Sequence, residues 1–306
     1  PTLDARENRP TTLSYGTVTR LLKEGLEYDG LIFTDALEMK GVTKHFESGQ
    51  VEAEALVAGN DVLLLPEDME AAFSEIRKYL ADGRLSWEQL EHSIKKVLRA
   101  KYELGVTQFE PLSTDELHEQ LHTDDAYQLK RELLANALTL VRNPEGLIPF
   151  QDLSATKMAA LDIGRSTASP FQQRLLEYRQ MPTFQAPASL PLDQQRKLMR
   201  ELSQADVVIV GLHNMNKSAE QQFGISGNAR EFLRVLNEQT KVVLTVFGNP
   251  YSLQCFDYIR WVLEGYEEEE DRRALAAEGL FGARAFRGRL PVTASPISRF
   301  GDGVIT

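Results

Sequence analysis

Gly30-Leu31-Ile32-Phe33-Thr34-Asp35-Ala36-Leu37-Glu38-Met39 is the stretch on which the reading of the fold turns. Asp29-Gly30 is a turn signal, and the apolar run that follows suits a short buried strand of a parallel sheet. The run ends on Thr34-Asp35, so a carboxylate stands at the carboxyl end of the strand. In a parallel βα barrel that is the face on which active sites are built, and a carboxylate there can act as nucleophile, general base or metal ligand. The same position is also a common helix N-cap, so the residue types by themselves leave both readings open.

Working outward, Ser14 is placed to cap a helix whose Val18, Leu21 and Leu22 share one face. Downstream, a helix is expected over 50–58, stopped by Gly59-Asn60, and a second buried strand over 62–65, ended by Pro66. Helices are expected over 69–80 and from Ser86, which forms a capping box with Gln89. Leu90, Ile94, Val97 and Leu98 then make an apolar stripe. This order predicts a parallel sheet with helices outside it. Residues 106–123 read as a linker, in which Ser113 and Glu116 could form another capping box. From residue 124 the alternation resumes. Strands are expected near 138–141, 158–163, 206–211, 242–247 and 261–263, and helices near 171–178, 192–202, 228–236 and 272–281. That pattern predicts a separate doubly wound, Rossmann-like α/β domain over 124–306. The acidic run Glu267 to Asp271 reads as a helix start, where the dipole favours negative charge. His213, with Asn214 and Asn216, follows a predicted strand at a place where such domains can bind ligands, although a plain loop is the simpler reading.

Acidic residues outnumber basic ones 45 to 34, a net charge of -11, which argues against a nucleic-acid partner. No apolar run approaches the roughly 20 residues of a membrane helix. The single cysteine, Cys255, excludes an intrachain disulfide and reads as a small buried side chain. There is no His-Glu-x-x-His metal motif, no P-loop and no Gly-x-Gly-x-x-Gly after a strand, so neither a metal nor another cofactor is expected.

Four blocks carry a family resemblance: Pro1-Thr2-Leu3-Asp4, Pro10-Thr11-Thr12-Leu13-Ser14, the segment 30–39 with its Thr-Asp-x-Leu-x-Met pattern, and Ala58-Gly59-Asn60-Asp61. In order and spacing they resemble the family 3 glycoside hydrolases, above all the β-N-acetylglucosaminidase (β-N-acetylhexosaminidase) branch and its Bacteroidetes-type members. The resemblance implies an α/β architecture: residues 1–105 as the last βα units of an incomplete (β/α)8 TIM barrel, a linker at 106–123, and the family's second α/β domain at 124–306. It implies that the chain is the C-terminal part of a longer bacterial protein of the cytoplasm or periplasm. It also implies retaining hydrolysis, with Asp35 attacking the anomeric carbon, and Thr34, Met39 and His45 as candidate substrate contacts. The expected partner is a β-linked N-acetylhexosamine glycan or muropeptide. A homodimer through the exposed barrel remnant is a further expectation. In this branch the acid/base is a His that follows a Lys-His-Phe-Pro-Gly-His-Gly block. Nothing in this sequence matches that block, so the chain by itself is expected to be inactive. The contrasting reading is a non-catalytic carbohydrate- or protein-binding α/β module.

Overall fold

The computed structural model describes residues 9–39, 45–108, 110–111 and 113–306. The chain divides into two compact units, Pro1–Ser113 and Thr114–Thr306.

In the first unit a short 3-10 turn (Thr11–Leu13) leads into α1 (Gly16–Gly25), wound in wide π-type turns. Ser14 closes its start as the sequence predicts: its Oγ accepts from the Thr17 N–H at 3.2 Å. Strand β1 (Phe33–Ala36), α2 (Gln50–Ala58), β2 (Val62–Leu64), α3 (Met69–Ala81) and α4 (Trp87–Glu103) follow. The two strands pair in parallel. Gly59 ends α2 at a φ of 109°, a left-handed turn open to glycine at little cost. The predicted capping box of α4 is present, with Ser86 accepting from Gln89 N–H and the Gln89 side chain returning to Ser86 N–H. The apolar packing is divided among small clusters. Leu13, Leu37, Val51 and Ala55 form one, Val18, Ile32 and Ala58 another, and Ala53, Tyr79 and Leu85 a third.

Helix α4 departs from expectation. Ile94 and Leu98, part of the predicted stripe, are more than half exposed. The face turned inward instead carries Ser93, Lys96, Val97 and Ala100. The reason is electrostatic: Ser93 and Lys96 bind a buried carboxylate, Asp61, and that pairing sets the helix's rotation.

The second unit contains α5 (Leu117–Leu121), α6 (Asp124–Ala137), β3 (Thr139–Arg142), β4 (Met158–Ile163), α7 (Pro170–Tyr178), β5 (Thr183–Ala186), α8 (Leu192–Leu202), β6 (Val207–Leu212), α9 (Gly227–Gln239), β7 (Lys241–Val246), β8 (Trp261–Glu264) and α10 (Glu270–Leu280). The six strands form one sheet in the order β3-β8-β7-β6-β4-β5, with only β3 antiparallel to its neighbour. Alternate residues of the strands face opposite apolar layers, as the period of two requires. Leu161, Val210 and Leu244 pack with α8 and α9, whereas Ala160, Ile209 and Val243 pack with α6, α7 and α10. Glu269 from the acidic run caps α10, accepting from Arg272 N–H at 3.0 Å. Helix α5 begins at Leu117 with Glu116 at its N-cap and no side-chain cap there, three residues later than the Ser113–Glu116 box predicts. Cys255 is half-buried rather than enclosed.

Candidate active site

The two ends of the β1–β2 pair differ in chemistry. At the amino end, Asp61 stands just before β2 and is buried. Its Oδ2 accepts from the Ile32 N–H at 3.0 Å and from Lys96 Nζ at 2.7 Å, and its Oδ1 accepts from Ser93 Oγ at 2.6 Å. Lys96 also donates to the Gly30 carbonyl at 2.6 Å, and Lys23 Nζ lies 3.9 Å from Asp61. Burial pushes the Asp61 carboxyl up. The hydrogen bonds from Lys96, Ser93 and Ile32 and the charge of Lys23 outweigh it and hold the carboxyl below the usual carboxylate range. Asn60 next to it donates to the carbonyls of Thr12 and Ala55. The block Ala58-Gly59-Asn60-Asp61 therefore ties α2, α4 and the entry to both strands together.

A second buried carboxylate, Glu54 of α2, holds α2 to α3 and the loop after it. It accepts from Tyr79 Oη and from Arg84, each at 2.7 Å, and from Arg9. The Arg84 guanidinium also stacks over the Tyr79 ring at 3.6 Å. Burial raises the Glu54 carboxyl, and these donors and charges more than offset it, so it stays below the usual range.

At the carboxyl end stands Asp35. Its side chain is exposed, and among the described residues no cation pairs with it. The strand's own geometry turns it outward. Phe33 is level with Val62 and Ala36 with Leu64, so β1 spends one more residue than β2 over the same distance. Such a bulge re-aims a side chain. Thr34 fills the gap that it opens. It is buried at 3% exposure, and its Oγ1 accepts the Leu64 N–H at 2.9 Å. The ladder resumes beyond, where Leu64 O and Leu65 O accept from Leu37 N–H and Glu38 N–H. Asp35 Oδ1 accepts from Ala36 N–H at 2.8 Å, which fixes one carboxylate oxygen; among the described residues nothing donates to the other. The arrangement presents a solvent-facing carboxylate on a rigid strand end, suited to attack on an electrophile or to accepting a proton.

Of the other predicted contacts, Met39 follows Asp35 by four residues and is half exposed. Its N–H reaches the Ala36 carbonyl at 3.4 Å. His45 lies on an exposed turn, and residues 40–44 between it and Met39 are outside the described residues. No hydrogen bond or ion pair joins His45 to Asp35. The structure thus brings Thr34 and Asp35 together and shows no contact of either with His45. Sequence reasoning missed the Asp61 network. Its signal was the pair Ser93 and Lys96, two polar residues at a spacing of three beside an apolar stripe. Among the described residues, no three His, Cys, Asp or Glu side chains gather as metal ligands would. None of the described helices is long and apolar enough to cross a membrane.

Comparison with known proteins places this geometry in context. Residues 1–100 match the model for the glycosyl hydrolase family 3 N terminal domain. The chain is 27% identical over 229 residues to beta-hexosaminidase A of Pseudoalteromonas piscicida, covering 71% of this chain and 37% of that protein. It is 24% identical over 173 residues to a beta-N-acetylglucosaminidase/beta-glucosidase of Cellulomonas fimi, covering 56% and 30%. The chain therefore spans about a third of the length of these curated relatives. Among solved structures, the family 3 beta-N-acetylglucosaminidase of Paenibacillus sp. str. FPU-7 is similar with a TM-score of 0.75 at 21% identity, over 96% of this chain and 57% of that one. On these matches the first 100 residues are similar to the family 3 glycosyl hydrolase N terminal domain, and the chain is similar in part to proteins named as β-hexosaminidase, β-N-acetylglucosaminidase and β-glucosidase.

Proposed function

We propose that this chain carries the nucleophile of a retaining glycoside hydrolase acting on β-linked N-acetylhexosamine in a glycan or muropeptide. The observation that carries the reading is Asp35: a solvent-facing carboxylate with no cation beside it among the described residues, turned out by a bulge at the carboxyl end of a parallel strand, within the segment matched by the family 3 model. In this reading the first unit is the last part of a TIM-type barrel and the second a Rossmann-like domain. Asp35 attacks the anomeric carbon as the leaving oxygen takes a proton from a general acid. The resulting covalent glycosyl-enzyme is then opened by water, which yields its proton to the same group acting as base. No residue of these 306 is assigned the acid/base role. Hydrolysis of an unactivated glycoside by this chain alone is therefore expected to be negligible.

An activated donor separates the two roles, because a fluoride leaving group needs no proton. The intact protein, treated with 5-fluoro-N-acetyl-β-glucosaminyl fluoride and digested, should carry one sugar on the peptide that contains Asp35. Asp35→Ala should abolish the adduct and lower hydrolysis of a nitrophenyl N-acetylglucosaminide by at least about a thousandfold. An adduct on another residue, or full activity in Asp35→Ala, would sink the assignment.

A further inference from the structure

The second unit holds a cluster of charges for which the Asp35 chemistry has no use. It sits where open parallel sheets take ligands. Strand β4 lies between β5 and β6, so the chain leaves β4 toward one side for β5 and crosses to the other for β6. The loops after β4 and β6 therefore diverge at the carboxyl ends of these strands, the topological switch point at which doubly wound sheets bind small molecules.

The floor of this place is built around a glycine. A Cβ at Gly211 would stand 2.7 Å from His213 Nε2 and 2.9 Å from Asp162 Oδ1. Its absence lets the His213 ring fold back over β6. There Nε2 meets Asp162 Oδ1 at 3.0 Å, and the ring stacks on Phe247 with centroids 5.1 Å apart. Asp162 Oδ2 accepts from Ser169 N–H at 2.9 Å. His213 is 2% exposed, and its Nδ1 is buried without a partner, as is Oγ1 of Thr245. Thr245 is level with Gly211 in the sheet, in the same row as Asp162.

Arg165 follows Gly164 in the loop after β4, and Arg273 stands in the first turn of α10; a short chain of contacts links Gly164 to Arg273. Asn214 binds the Gly164 carbonyl through its side chain and donates its N–H to Glu268, which lies 3.5 Å from Arg273. Arg273 is only 8% exposed. The Nε atoms of both arginines are buried and lack a partner. Arg165 has no carboxylate within 4.0 Å among the described residues, so Glu268 serves one guanidinium of the two. Burial pushes the Arg273 guanidinium down, and the neighbouring charge of Arg165 adds to the effect against the counter-pull of Glu268. Buried donors left unmade are costly, and paired guanidinium forks match the oxygen edge of an oxyanion.

We propose that the switch point of the second unit binds a small oxyanion, held by the guanidinium groups of Arg165 and Arg273. Phosphate and carboxylate present the same acceptor edge, and the test distinguishes them. The chain is titrated calorimetrically with inorganic phosphate, and separately with acetate, at pH 7.5 and constant ionic strength in sodium chloride. Saturable binding of one anion per chain is expected. Arg165→Gln and Arg273→Gln should each weaken it at least about tenfold. Arg260→Gln, which changes an exposed arginine paired with Glu145 in the same unit, should leave it unchanged. If Arg273→Gln fails to fold by circular dichroism, Arg165→Gln, whose residue is half-buried, decides the matter. Binding of either anion that is lost in Arg165→Gln supports the site and names its ligand class. No saturable binding tighter than about 10 mM, or binding that survives Arg165→Gln, overturns it.

Discussion

In the first unit two strands are locked at their amino ends by an ionised carboxylate, and three small apolar clusters surround them. In the second, six strands lie between two continuous apolar layers, and its most deeply buried carboxyl, Glu264, is pushed well above the usual range by burial. The contrast shows two ways of carrying buried polar groups. Where little apolar area is available, Asp61 and Glu54 hold helices in place as charges, each surrounded by donors. Where the apolar layers suffice, burial shifts a carboxyl at a strand end toward its neutral form. One oxygen of Glu264 accepts from Tyr266 N–H at 2.6 Å and the other has no partner. Scarce burial in the first unit also leaves Phe33, Leu65, Phe73, Ile94 and Leu98 exposed.

The two units should therefore answer pH with opposite slopes. The largest effect is expected at Asp61. Asp61→Ala strips a buried carboxylate from Lys96 and leaves that ammonium uncompensated, a loss of about 3–5 kcal/mol. Hydrogen exchange followed by mass spectrometry should show β1, β2 and α4 opening together while the second unit stays protected. Protection of these peptides equal to wild type would show that Asp61 does not lock the strands. In the wild type, the folded-state values of Asp61 and Glu54 lie below their unfolded ones. Their contribution is thus fully present above about pH 4–5 and is lost as pH falls through the folded values.

Glu264 reverses the sign. Its folded value lies above the unfolded one, so between the two the native state binds more protons, and stability falls as pH rises from about 4.5. The slope from this group is at most about 1.4 kcal/mol per pH unit. Glu264→Gln keeps the shape, accepts from Tyr266 and never ionises. It should raise the melting temperature of the second unit at pH 8 relative to pH 5. Trp261 is buried on β8 and reports that transition by fluorescence. An unchanged pH slope in Glu264→Gln would show that the carboxyl is not the source.

The sequence made the second unit far more legible than the first, for physical reasons. Continuous apolar strands such as Met158 to Ile163 and Val207 to Leu212 announce themselves, and the helices between them begin on recognisable caps: Ser169, Ser226 and Glu269 all accept from the first turn of their helices. Thr183–Ala186 escaped reading because it is an edge strand, paired only with β4 and half-buried along most of its length. In the first unit the apolar run at 31–34 misplaces the ladder by two residues. Lys96 takes the Gly30 carbonyl and Asp61 takes the Ile32 N–H, so strand pairing starts only at Phe33. Asp35 was visible as a strand-end carboxylate. The bulge that turns it outward was not, because it depends on the register with β2, which no local pattern encodes. The same holds for Arg165 and Arg273, more than a hundred residues apart in the chain, whose charges are felt together only in the folded sheet.

The smallest expected effect is the most specific, and it lies at Thr34. Its Oγ1 replaces a strand carbonyl as the acceptor for Leu64 N–H, and the bulge beside it sets the direction of Asp35. Thr34→Val preserves shape and branching and removes the acceptor, leaving the Leu64 N–H unpaired at a cost of about 1–3 kcal/mol. Thr34→Ser keeps the hydroxyl and loses a methyl group, about 1 kcal/mol. The two losses are close in stability, so stability alone does not separate a packing role from a positioning role. The rate of Asp35 labelling by the activated fluoride does. If the hydroxyl holds the bulge, Thr34→Ser labels at nearly the wild-type rate and Thr34→Val labels at least about tenfold more slowly. If Thr34 serves only as packing, the order reverses, because valine fills the space and serine does not.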